Sequence, residues 1–158
     1  MQEFISNSES ETRSLGVAIG ESLEPGIVIG LNGTLGSGKT RLTQAIGIGL
    51  GIAEGEVVSP TFTICVPHEG RLPFLHLDAY RIKQLTEIDE LGLDESVEDG
   101  IVLIVEWAIR IEKYLPPIDL NISIEPVGAE IRRFHFDPIS EQGKQLVNRI
   151  FAKLEPKP

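Results

Sequence analysis

A three-layer α/β domain with a mixed central sheet is the fold class the sequence predicts, and three observations predict it. Apolar stretches of strand length alternate with amphipathic helical stretches early in the chain, the pattern of a sheet with helical crossovers. Ile101-Val102-Leu103-Ile104-Val105 is apolar on both faces, as a central strand covered from both sides requires. Later strands follow one another across short turns, which adds antiparallel pairs to the sheet.

Taken in order, Phe4-Ile5 predicts a short edge strand. Ser8-Glu9-Ser10-Glu11 has the form of a capping box, followed by Leu15, Ala18, Ile19 and Leu23 at helical spacing. Pro25-Gly26 ends that helix and turns the chain into the strand Gly26–Leu31. A second helix begins near Arg41 and ends near Leu50, where Gly47, Gly49 and Gly51 imply close packing or a frayed end. The Ser59-Pro60 break precedes a β-branched strand through Val66, Pro67 to Arg71 forms a turn, and Leu72–Leu77 returns as a hairpin partner. Glu87 to Asp99 holds seven acidic residues and no basic one, which reads as one or two short solvated helices. After the central strand come a helix, Pro116-Pro117, strands over Leu120–Ile124 and Glu130–Phe136, and a closing amphipathic helix with Leu146, Ile150 and Leu154. No internal repeat or linker divides the chain, so residues 1–158 are expected to form a single domain.

Between the first apolar strand and the helix behind it lies Gly33-Thr34-Leu35-Gly36-Ser37-Gly38-Lys39-Thr40. It fits G-x-x-x-x-G-K-[ST], a phosphate-binding loop. Glycines let the backbone curl so that successive N–H groups face an anion, and the helix N-terminus adds its dipole. Thr34, Leu35, Gly36, Ser37, Gly38, Lys39, Thr40 and Arg41 are therefore expected to cradle a nucleotide. Lys39 would reach the β- and γ-phosphates, and the Thr40 hydroxyl would be a ligand of Mg²⁺. A P-loop NTPase domain is the implied architecture.

Composition narrows the partners. A net charge of −10 argues against direct, charge-driven nucleic-acid binding, which needs a basic face. One cysteine, Cys65, excludes an internal disulfide and fits a reducing cytoplasm. The mostly polar or acidic start does not resemble an export signal, and no apolar run approaches the length of a membrane span. A soluble, cytoplasmic protein is expected.

Turnover of a bound nucleotide needs more than a phosphate loop. A carboxylate directly after five apolar strand residues is costly to bury unless paired, so Glu106 is the expected Mg²⁺ ligand or water-orienting residue. Asp78, past the end of another strand, is the second acidic candidate, and capping the helix that follows is its plainer reading. Thr61 and Thr63 occupy a stretch where many NTPases place a loop sensing the γ-phosphate. Trp107 either stacks near the nucleotide or packs, and packing is the plainer reading; His76 reads as a strand histidine. Asp89-Glu90-Leu91-Gly92 matches the D-x-x-G of GTPases but falls in the acidic segment. The chain also lacks an Asn-Lys dipeptide, so ATP is expected rather than GTP.

Four pieces in order resemble the TsaE (YjeE) family of small bacterial ATPases: Gly33–Thr40, Ser59-Pro60-Thr61-Phe62-Thr63, His76-Leu77-Asp78-Ala79-Tyr80-Arg81 and Glu106-Trp107. The resemblance implies a role in tRNA threonylcarbamoyladenosine (t6A) biosynthesis with TsaD and TsaB, ATP hydrolysis being weak alone and stimulated in the complex, which it resets between turnovers. It also implies that Lys39 contacts phosphate, that Thr40 and Glu106 hold Mg²⁺, that Ser59–Thr63 is a switch, and that Asp78 and Trp107 lie near the site. The acidic chain then leaves the tRNA to its partners. Thr34 stands where the family usually has Asp, Ser37 where it has Ala, His68 where Tyr is frequent and Ala108 where Pro is common. Two further readings remain open: a nucleotide-gated binding module whose hydrolysis is incidental, and a small-molecule kinase. The kinase reading wants several arginines in a mobile lid, and no such cluster is present. Arg81 is the candidate for an intrinsic arginine finger.

Overall fold

The computed structural model describes residues 2–58 and 64–155. Its elements are β1 (Gln2–Ser6), α1 (Glu9–Ser22), β2 (Val28–Gly33), α2 (Lys39–Gly49), β3 (Cys65–Glu69), β4 (Pro73–Asp78), α3 (Thr86–Asp89), α4 (Leu93–Glu98), β5 (Val102–Glu106), β6 (Leu120–Pro126), β7 (Arg132–Pro138) and α5 (Glu141–Leu154). They build the expected α/β fold on one seven-stranded sheet, ordered β1-β7-β6-β2-β5-β4-β3. The β6–β2–β5–β4 centre is parallel, and β3, β7 and β1 pair antiparallel toward the two edges.

Alternation along the strands gives each face its own core. Ile29, Leu31, Phe74, Val102, Ile104, Leu120, Ile122, Phe134 and Phe136 meet Leu15, Ile19, Leu42, Ile46, Leu146 and Ile150 of α1, α2 and α5. The opposite face buries Val28, Leu77, Leu103 and Val105 under Ile82, Ile88, Leu93 and Ala108, carried on short helices and turns. All five β5 residues are buried, as a strand between two covered faces must be. Among the described residues, no helix is long and apolar enough to cross a membrane.

Helix α1 begins at Ser8, whose hydroxyl accepts from Glu11 N at 3.1 Å. The Glu11 carboxylate reaches back one residue further than a capping box does, to Asn7 N at 2.7 Å. The glycines of α2 serve packing. Gly49 lies against Gly20 and Val17 of α1, and a Cβ on Gly49 would stand 2.4 Å from the Val17 carbonyl oxygen.

Two expected local features differ. Pro67 to Glu69 continue β3 rather than turning, because β3 is an edge strand, where a missing N–H does not interrupt a second ladder. Between β5 and Pro116 the expected α-helix is replaced by single 3₁₀ turns, Ala108–Arg110 and Glu112–Tyr114. Trp107 takes a left-handed backbone at φ 61°, and Pro116-Pro117 leaves too little chain to propagate a helix.

Candidate functional site

The site forms where the parallel strands end. Their register sets Leu31 beside Glu106 and Glu106 beside Asp78, so three C-terminal strand ends converge in front of α2. Gly33 leads out of β2 into the loop, where Gly36 and Gly38 adopt φ of 77° and 111°, left-handed values that disfavour any side chain. Nothing lies within 4 Å of where a Cβ would stand on either, so the curled backbone faces open space. Ser37 between them is buried.

Lys39 folds over this loop. Its ammonium donates to Gly33 O at 2.7 Å, Thr34 O at 2.9 Å and Ser37 Oγ at 3.4 Å, one acceptor for each proton. It also sits 4.0 Å from the centroid of the Trp107 ring, at cation–π distance. Burial pushes its pKa below the usual lysine value, opposed by the Glu106 and Asp78 carboxylates. Beside it, the Thr40 hydroxyl donates to the Glu106 carboxylate, 2.9 Å from Oε1 and 3.2 Å from Oε2. Glu106 is buried, and its Oε2 also meets His76 Nε2, which carries the hydrogen because an ionised carboxylate only accepts.

Asp78 does two things at once. Its Oδ1 accepts from Tyr80 N at 3.0 Å and so caps the Ala79–Arg81 turn, while Arg81 Nε stands 3.6 Å from Oδ2. Burial pushes the Asp78 carboxyl above its ordinary value of 3.8, with the neighbouring Glu106 adding to the rise against the Tyr80 N–H and Arg81. A carboxyl raised by folding holds a proton that the unfolded chain has already released. Stability of the nucleotide-free protein therefore falls as pH climbs from about 3.8 through the raised value. Asp78→Asn keeps the cap acceptor and removes this slope. Urea unfolding should find it more stable than wild type at pH 7 and level with it near pH 3; parallel pH profiles would contradict the shift.

Around these groups opens a cleft of about 1060 Å³. Its walls include Glu9, Arg13, Arg41 and Gln44 as well as Leu35, Ala129 and Arg132. Arg41 pairs across the rim with Glu9, and Tyr80 packs against Trp107 with ring centroids 5.2 Å apart. Phosphate groups fit the curled loop with Lys39, and Mg²⁺ fits the oxygen pair of Thr40 and Glu106. Mg²⁺ is usually held by one or two carboxylates together with substrate phosphates.

A sequence model described as threonylcarbamoyl adenosine biosynthesis protein TsaE matches residues 6–134. The chain belongs to the TsaE family. Its relatives include proteins named tRNA threonylcarbamoyladenosine biosynthesis protein TsaE in several bacteria. That of Treponema pallidum (strain Nichols) is 38% identical over 76% of this chain and 88% of its own. That of Bacillus subtilis (strain 168) is 38% identical over 89% of this chain and 87% of its own. That of Nostoc sp. is 45% identical over 75% of this chain and 74% of its own. Among solved structures, Bacillus subtilis YdiB superposes with a TM-score of 0.81 at 31% identity, over 98% of this chain and 96% of that one.

Of the residues singled out from sequence, the structure gathers Leu35, Gly36, Ser37, Gly38, Lys39, Thr40, Arg41, Asp78, Glu106 and Trp107 along this one cleft. Thr34 enters through its carbonyl, which holds Lys39, and is otherwise exposed. Thr61 and Thr63 lie outside the described residues. Three residues take places here that the sequence did not assign to them. Tyr80 and Arg132 line the cleft, and Arg132 Nε donates to Ser37 O at 3.0 Å, tying the loop to the β6–β7 turn. His76 was read as an ordinary strand histidine, yet it holds Glu106. Only the spacing of His76 and Asp78, two apart and thus on one strand face, hinted at it.

Proposed function

We propose that this chain is the ATP-binding and ATP-hydrolysing subunit of the machinery that makes t6A in tRNA. In this reading it works with TsaD and TsaB as a single cytoplasmic domain of residues 1–158, and hydrolysis resets the complex between turnovers. The observation that carries the reading is the Thr40–Glu106 hydrogen bond at 2.9 Å, formed at the mouth of a phosphate loop in a member of the TsaE family.

The residues divide the work as follows. Amides of Gly36 to Thr40 bind phosphate oxygens, and Lys39 moves from the Gly33 and Thr34 carbonyls onto the β- and γ-phosphates. Thr40 and Glu106 together hold Mg²⁺, which supplies neutralisation of the phosphate charge when bound. Asp78 and Glu106, neighbours in register, orient the attacking water, and Trp107 with Tyr80 shields that side of the cleft. The net charge of −10 supports leaving the tRNA to the partner subunits.

The test is t6A formation with purified TsaD, TsaB, substrate tRNA, threonylcarbamoyl adenylate as the group donor, and ATP. With this chain present, product should exceed the amount of TsaD–TsaB many times over; with Lys39→Ala it should stop near one equivalent. Repeated turnover with Lys39→Ala would overturn the reading and favour a module whose hydrolysis is incidental.

A further inference from the structure

We propose that His76 is a positioning residue that fixes the Glu106 carboxylate for Mg²⁺. The inference rests on the functional reading above, since it concerns the same metal. His76 is fully buried, on the β4 face that also carries Phe74 and Asp78 and that abuts Val102 and Ile104 of β5. In such surroundings an aliphatic side chain would pack at no polar cost. His76 instead carries Nδ1 without a hydrogen-bond partner among the described residues, a buried polar atom that weakens the fold. What the histidine supplies in return is a single contact, Nε2 to Glu106 Oε2.

That contact settles where the carboxylate points. Thr40 reaches both oxygens from the cleft side, at 2.9 and 3.2 Å, so it alone leaves the group free to rotate about its last bond. With Oε2 pinned by His76 from behind, Oε1 is directed at Thr40 and the cleft, where a cation between loop and strand would find it. Buried donors behind a metal-binding carboxylate fix its orientation in this way, and losing one typically weakens metal binding or activity about 10- to 100-fold. The backbone supports the arrangement. Parallel pairing places His76 opposite Ile104, two residues before Glu106 on the same face, which brings the imidazole beneath the carboxylate.

The experiment measures binding of ADP and of a non-hydrolysable ATP analogue by calorimetry on the full chain, across a Mg²⁺ series and in EDTA. For His76→Leu, the Mg²⁺ concentration that gives half of the metal-dependent gain in affinity should rise about 10- to 100-fold, with affinity in EDTA within about twofold of wild type. His76→Gln, whose amide reaches the position of Nε2, should restore the wild-type Mg²⁺ dependence. An unchanged Mg²⁺ dependence in His76→Leu would overturn the proposal. So would equal losses with and without the metal, which mark general damage to the cleft. If His76→Leu does not fold, His76→Asn, whose amide stops short of Glu106, takes its place: Asn impaired and Gln normal supports the role, and equal behaviour overturns it. A wild-type protein whose nucleotide binding ignores Mg²⁺ would bring down the functional reading itself, whereas metal-dependent binding untouched by these variants defeats only the role of His76.

Discussion

Glu106→Ala should lower ATP turnover in the assembled complex by about 10²- to 10³-fold while nucleotide still binds the loop. The two effects separate because the phosphate cradle is backbone plus Lys39, none of it supplied by Glu106. The substitution strips the Thr40 hydroxyl and His76 Nε2 of their shared acceptor and removes the carboxylate proposed above to hold Mg²⁺. Lys39→Ala should instead weaken binding as well as turnover. Steady-state kinetics beside calorimetric nucleotide titration distinguishes the two. A Glu106→Ala protein that turns over within about tenfold of wild type would remove Glu106 from the chemistry.

Gly20→Ala should destabilise the fold by about 1–3 kcal/mol, although alanine is the better helix former by about 1 kcal/mol. The contact decides the sign. A Cβ on Gly20 would stand 2.2 Å from the Ile46 carbonyl oxygen and 2.8 Å from Gly49 Cα, both backbone atoms of α2 that cannot rotate away. Helix α2 must shift outward, carrying Lys39 and Thr40 at its N-terminus away from β5. Thermal unfolding should show a lower midpoint, by roughly 2–4 °C per kcal/mol for a chain of this size, and weaker nucleotide binding should accompany it. A raised midpoint would mean that helix propensity, not the α1–α2 contact, governs this position.

Much of this architecture was legible because its signals are local. Glycine and lysine spacing marks the phosphate loop, and the carboxylate after Ile101–Val105 marks a strand end that must face something polar. The Ser8 cap and the Leu15–Ile19 spacing mark α1 in the same way. What escaped depends on distant pairing. Nothing near Arg132 says that β6 lies beside β2, yet that pairing carries the β6–β7 turn to the loop and lets Arg132 bond Ser37. His76 looked ordinary because a strand histidine is only as informative as the residue beside it, and Glu106 is thirty positions away. Pro67 misled for the opposite reason: a local turn signal was overridden by an edge position that only the strand order reveals.

The most direct test of the central claim is ATP turnover of the purified chain, first alone and then with TsaD, TsaB and substrate tRNA. A site with Arg81 held 3.6 Å from Asp78, and with Lys39 bonded to its own loop, predicts slow turnover alone and strong stimulation on assembly. Turnover that is fast without partners, or unchanged when they are added, would contradict it.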